Sequence, residues 1–95
     1  MKFDKKKLED AMLAWGFEYE SDGCFSFKDR PQTGVEFKHK GRGKLKVDFL
    51  VEEVIYHFIY DLSAFPDENR LLVDISKTML DLISSYMANR DKWNS

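Results

Sequence analysis

Val35-Glu36-Phe37-Lys38-His39-Lys40-Gly41-Arg42-Gly43-Lys44-Leu45-Lys46-Val47-Asp48-Phe49-Leu50-Val51 reads as two arms about a glycine-flanked centre. On the way in, Val35, Phe37 and His39 alternate with Glu36, Lys38 and Lys40. On the way out, Leu45, Val47, Phe49 and Val51 alternate with Lys44, Lys46 and Asp48. A period of two gives each arm one apolar and one polar face, which is the pattern of antiparallel strands half buried in a sheet. A three-residue Gly41-Arg42-Gly43 loop pairs Phe37 with Val47 and Val35 with Phe49. The same register sets Lys40 against Lys44 and Lys38 against Lys46. Lys38, Lys40, Arg42, Lys44 and Lys46 therefore crowd one hairpin tip with no acid among them.

Upstream lies a second hairpin. Phe17 and Tyr19 alternate with Glu18 and Glu20, Ser21-Asp22-Gly23 is a turn, and Phe25 and Phe27 alternate with Ser26. With Glu20 opposite Cys24, Tyr19 faces Phe25 and Phe17 faces Phe27, an aromatic ladder on one face. Before it, Leu8, Ala11, Met12 and Trp15 fall at i, i+3, i+4 and i+7 and predict a helix. Asp4 is its N-cap, Phe3 and Leu8 form a staple, and Gly16 is its C-terminal glycine. Asp29 to Gly34, with Pro31, reads as a connecting loop.

Downstream, Val51, Val54, Ile55, Phe58, Ile59 and Leu62 fit helical spacing, with Tyr56 and Tyr60 widening the apolar face. That spacing predicts a helix over about 51–62. A loop holding Pro66 follows, and then a last helix carrying Leu72, Ile75, Met79, Leu82, Ile83 and Tyr86 to about residue 89. The expected architecture is one α+β domain over residues 1–95. It comprises a helix, a four-stranded antiparallel meander and two C-terminal helices, packed on one face of the sheet.

Composition narrows the class. Apolar residues make up 43% of the chain, too many for a disordered segment. The longest apolar runs fall far short of the ~20 residues that span a bilayer, and the N-terminus carries no secretion-signal pattern. Cys24 has no second cysteine to pair with, so a reducing, cytoplasmic setting is expected. Residues 1–46 hold 11 Lys/Arg against 8 Asp/Glu, and residues 47–95 hold 4 against 9. A chain of net charge −2 is thus polarised, +3 in front and −5 behind.

Candidate chemistry is sparse. Glu53, His57 and Asp61 at i, i+4 and i+8 would line one stripe of the expected middle helix, as ion pairs or as an acid–base or metal-ligating set. Ligands drawn from a single helix, with no second histidine near, favour the ion-pair reading, and no metal or cofactor is expected. Cys24 lacks an activating neighbour, His39, on the apolar face near the tip, reads as a satisfied or half-exposed histidine rather than a ligand, and Gly41-Arg42-Gly43 lacks the spacing and strand-to-helix setting of a phosphate loop. Met12, Met79 and Met87 fall in core stripes. Tyr56, Tyr60 and Trp93 are candidate partner anchors. The expectation is a small, non-enzymatic binding or regulatory protein of the accessory, inhibitor or immunity kind, its basic tip meeting a protein with an acidic surface. The alternative is a nucleic-acid-binding module using the tip on phosphates. Two apolar C-terminal helices would also offer a surface for homodimerisation.

Overall fold

The computed structural model describes residues 2–27, 30 and 32–93, with the side chains of 91–93 excepted. The elements run α1 (Lys5–Trp15), β1 (Phe17–Ser21), β2 (Cys24–Phe27), β3 (Thr33–Gly41), β4 (Lys44–Val51), β5 (Val54–Asp61), a single 3-10 turn (Leu62–Ala64) and α2 (Glu68–Trp93). The five strands form one antiparallel meander in the order β1-β2-β3-β4-β5. The fold is α+β, as the sequence implies, but the described residues form five strands and two α-helices rather than four and three.

α1 begins and ends as its sequence dictates. Asp4 is extended, and its carboxylate accepts from the Lys7 backbone N–H at 3.3 Å. Gly16, at φ 108°, turns the chain left-handed and returns its N–H to Leu13 and Met12. Leu8 and Met12 are fully buried, while Trp15, expected on the same face, stays largely in solvent.

The first hairpin keeps the aromatic ladder. Phe17 faces Phe27 with ring centroids 5.6 Å apart, and Tyr19 faces Phe25 at 5.7 Å, both edge-on. A shift between Tyr19 and Ser21 makes Glu20 a bulge, so Ser21 rather than Glu20 opposes Cys24. In the second hairpin Val35 pairs with Phe49, Phe37 with Val47 and Lys38 with Lys46. The connection is shorter than expected. Gly41 pairs with Lys44, and the two-residue turn Arg42-Gly43 has positive φ at both positions. Such a turn matches the right-handed twist of its strands, and the register shift it needs falls at Lys40. The expected Lys40–Lys44 pair is therefore absent.

Residues 54–61 form a strand and not the expected helix. Six of the eight residues, Val54, Ile55, Tyr56, Phe58, Ile59 and Tyr60, are β-branched or aromatic and prefer the pleated surface of a sheet. Glu52 and Glu53 make a two-residue turn, Glu52 at φ 56°, that closes on the pair Val51–Val54. Val54, Tyr56, Phe58 and Tyr60 then fall opposite Val51, Phe49, Val47 and Leu45.

One core lies between the sheet's inner face and the two helices. Phe25, Val35, Leu45, Val47, Phe49 and Val51 meet Leu8 and Met12 of α1 and Leu71, Leu72, Ile75 and Met79 of α2. Asp67 caps α2 by accepting from the Arg70 N–H at 2.9 Å. Among the described residues no helix is long and apolar enough to cross a membrane.

Candidate functional site

Among the described residues no helix covers the sheet's outer face, so its chemistry follows from strand parity and register. Antiparallel pairing stacks Ser26, Gly34, Leu50 and Ile55 in one transverse row and Cys24, Glu36, Asp48 and His57 in the next. Beyond them lie Lys38, Lys46 and Ile59, and last Lys44 and Asp61. The face grades from acidic and apolar near the Glu52-Glu53 turn to basic at the Arg42-Gly43 turn.

Gly34 shapes the first row. A side chain there would place its Cβ 2.6 Å from the Phe25 carbonyl oxygen, so β2 and β3 approach too closely for anything but glycine. The missing side chain leaves a depression of about 320 Å³ whose walls include Cys24, Leu50 and Ile55. Glu20, Glu36 and Asp48 stand at its margin. The bulge turns Glu20 toward this depression, and Ser26 Oγ donates to its Oε1 at 2.7 Å. Cys24 is a free thiol, half-buried in the wall.

The expected basic tip is partly neutralised. Lys44 Nζ lies 3.2 Å from Asp61 across β4 and β5, and Lys46 Nζ lies 3.8 Å from Asp48. Asp61 is held below the usual carboxylate range by Ser63, first through its hydroxyl and then its backbone N–H, and next by Lys44. Lys38, Lys40 and Arg42 have no ion pair among the described residues. On the inner face behind them the Phe3 ring packs on His39 at 4.9 Å, and the first turn of α1 that follows carries Lys5, Lys6 and Lys7. Within that turn Lys5 pairs with Asp22, whose hydrogen bond raises the lysine above its ordinary value.

The Glu53, His57 and Asp61 stripe dissolves with the helix. On a strand, residues four apart share a face but stand about 13 Å from one another. His57 turns to the neighbouring strand, its Nδ1 2.7 Å from Asp48 Oδ1. No group of three or more metal-ligating side chains comes together among the described residues.

Tyr56 and Tyr60 point to the inner face. Tyr60 is 8% exposed, its hydroxyl donates to Thr78 Oγ1 at 3.3 Å, and burial raises its phenol above the ordinary value. The exposed large side chains of this segment are Ile55 (56%), Ile59 (71%) and Phe58 (37%). The backbone of Trp93 ends α2, and its side chain lies outside the described residues. Sequence reading missed Gly34, Leu50, Ile55 and Ile59 as surface features. Reading 54–61 in period two exposes the signal, because Ile55 and Ile59 then share a face with Asp48 and Lys46.

No family model, no curated protein and no solved structure matches this chain. The class it defines is therefore stated by architecture: a helix, a five-stranded antiparallel meander and a long C-terminal helix, with one sheet face left bare.

Proposed function

We propose that this chain is a small non-catalytic binding protein that acts through protein–protein interaction, with the outer face of its sheet as the docking surface. One observation carries the reading: the depression above Gly34, with apolar Leu50 and Ile55 in its walls and Glu20, Glu36 and Asp48 around it. An apolar concavity with a few convergent polar groups is the usual form of a recognition site. Its charge selects a partner segment that inserts an apolar or long cationic side chain. From about 13 Å along β3 onward the same segment meets Lys38, Lys40 and then Arg42, so acidic residues at its other end would complement the basic tip.

A second reading has an observation of its own. Lys5, Lys6 and Lys7 fill the first turn of α1, where the helix dipole favours anions, and Phe3 just before that turn packs on His39 of the tip strand. Lysines there and at the tip suit phosphate contacts, as in nucleic-acid binding. The ion pairs of Lys5, Lys6, Lys44 and Lys46 with Asp22, Asp10, Asp61 and Asp48 count against it.

One set of variants separates the readings. Immobilised wild-type protein, Glu20→Lys/Glu36→Lys and Lys38→Glu/Lys40→Glu/Arg42→Glu are compared for retained host proteins and for binding labelled mixed-sequence DNA and RNA. Docking at the depression predicts a discrete protein retained by the wild type and lost with Glu20→Lys/Glu36→Lys. Steeply salt-dependent nucleic-acid binding lost only with the tip variant would replace this reading with the second.

A further inference from the structure

The two ends of the sheet are built differently. β1 has five residues, two glutamates and a bulge at Glu20, all features that discourage pairing with another strand. β5, at the other end, pairs with β4 over all eight of its residues without a register shift, and it contains no lysine, arginine or proline. The Val51–Val54 pair closes a two-residue turn and is hydrogen-bonded across the hairpin. By the alternation of antiparallel ladders, Val54, Tyr56, Phe58 and Tyr60 bond to β4, and the N–H and C=O of Ile55, His57 and Ile59 point off the open edge.

We propose that the β5 edge pairs antiparallel with β5 of a second copy of this chain, joining two sheets into one of ten strands. Register and exposed apolar area select a second copy. A two-fold axis at His57 sets Ile55 of one copy opposite Ile59 of the other on the outer face, and Tyr56 opposite Phe58 on the inner face. Moving the axis to Phe58 sets Ile55 opposite Asp61, so the first register buries like against like. The same register sets Glu53 of each copy opposite Asp61 of the other, a like-charge pair offset by Lys44, whose Nζ lies 3.2 Å from Asp61.

Apolar surface is open on both faces of this edge: Ile55 and Ile59 are 56% and 71% exposed on the outer face and Phe58 37% exposed on the inner face. With the strand backbone and flanking side chains of both copies, pairing buries on the order of 1,000 Å², enough for a weak specific dimer. The dimer places the two depressions on one continuous surface, with Ile55 shared between the depression wall and the interface.

Sedimentation equilibrium from about 1 to about 500 µM tests the association, a range chosen for micromolar affinity. The wild type is expected to move from its monomer mass of 11.2 kDa toward twice that value. Ile55→Lys/Ile59→Lys, altering two exposed side chains, is expected to hold the monomer mass throughout while its thermal unfolding stays cooperative. Register is tested by disulfide trapping in a Cys24→Ser background. His57→Cys places two thiols on the axis at about 5.5 Å between Cα atoms, within disulfide reach, whereas Ile55→Cys leaves them about 13 Å apart. Faster covalent dimer formation by His57→Cys is the expected result. A wild type that stays monomeric, a dimer indifferent to Ile55→Lys/Ile59→Lys, or equal trapping of the two cysteines would each overturn the proposal.

Discussion

The hydroxyl of Ser76 lies beside Trp15, Phe17, Phe27 and Met79, buried and without a hydrogen-bond partner among the described residues. A buried unsatisfied hydroxyl costs about 1–3 kcal/mol, and serine is also a poorer helix former than alanine. Ser76→Ala removes both penalties and opens no new cavity beyond one oxygen. It is expected to stabilise the protein by about 1 kcal/mol and to raise Tm by roughly 4–8 °C, read by calorimetry. A lower Tm would mean that Ser76 Oγ has a solvent partner worth more than its desolvation. Gly34 marks the opposite kind of residue, where the backbone of a neighbouring strand rather than a side chain sets the identity. Neither position was legible beforehand. Ser76 sits in a helix whose core face is read from apolar spacing, and Gly34 was read as the end of a loop.

At the scale of elements, legibility followed the strength of local signals. α1 carried a cap, a staple and a terminal glycine, and its ends came out as read. The ladder of Phe17, Tyr19, Phe25 and Phe27 fixed the first hairpin's pairing, since a slip of one residue would send one strand's two rings to the face opposite the other two. β5 escaped because Val54, Ile55, Phe58, Ile59 and Leu62 satisfy helical spacing as well as a strand does. The turn before it, Glu52-Glu53, lacks the glycine or asparagine that announces a hairpin. The candidate site went with it, because the Asp48–His57 and Lys44–Asp61 contacts exist only between β4 and β5. The Asp61 contact makes a pH prediction at this scale. Its carboxyl is held below the ordinary value of 3.8 by Ser63 and then Lys44, so the folded state prefers the ionised form. Its contribution is present above that value and is lost as pH falls through it toward the lower folded value. Asp61→Asn keeps an acceptor for the Ser63 N–H and removes the charge. Urea unfolding at intervals from about pH 6 to about pH 2 should show the variant less stable at the upper end, with the gap closing as pH falls. A gap that stays constant would assign the loss to packing rather than to charge.

For the molecule as a whole, one-sidedness organises both stability and function. α2, at 26 residues, is about 39 Å long against a longest molecular dimension of 47 Å, so one helix is the main cover of one sheet face. The buried core lies on that side, and the opposite side keeps Ile55 and Ile59 in water among charges of both signs. The same residue type therefore has two different energetic roles. Ile75 is fully buried between α2 and the sheet, and Ile59 is 71% exposed on β5. Ile75→Ala removes packed methyl and methylene groups and leaves a cavity, costing about 2–5 kcal/mol. That is a large share of the 5–15 kcal/mol typical of a whole domain. Ile59→Ala has no cavity to leave in the monomer and should change stability by no more than about 0.5 kcal/mol. Urea titrations of both variants at about 1 µM, where self-association is negligible, measure the contrast, and an unchanged m-value would show that one core unfolds as a unit. If Ile59→Ala cost as much as Ile75→Ala at that dilution, the outer face would be packed within the monomer itself. It would then be a second core and not a docking surface.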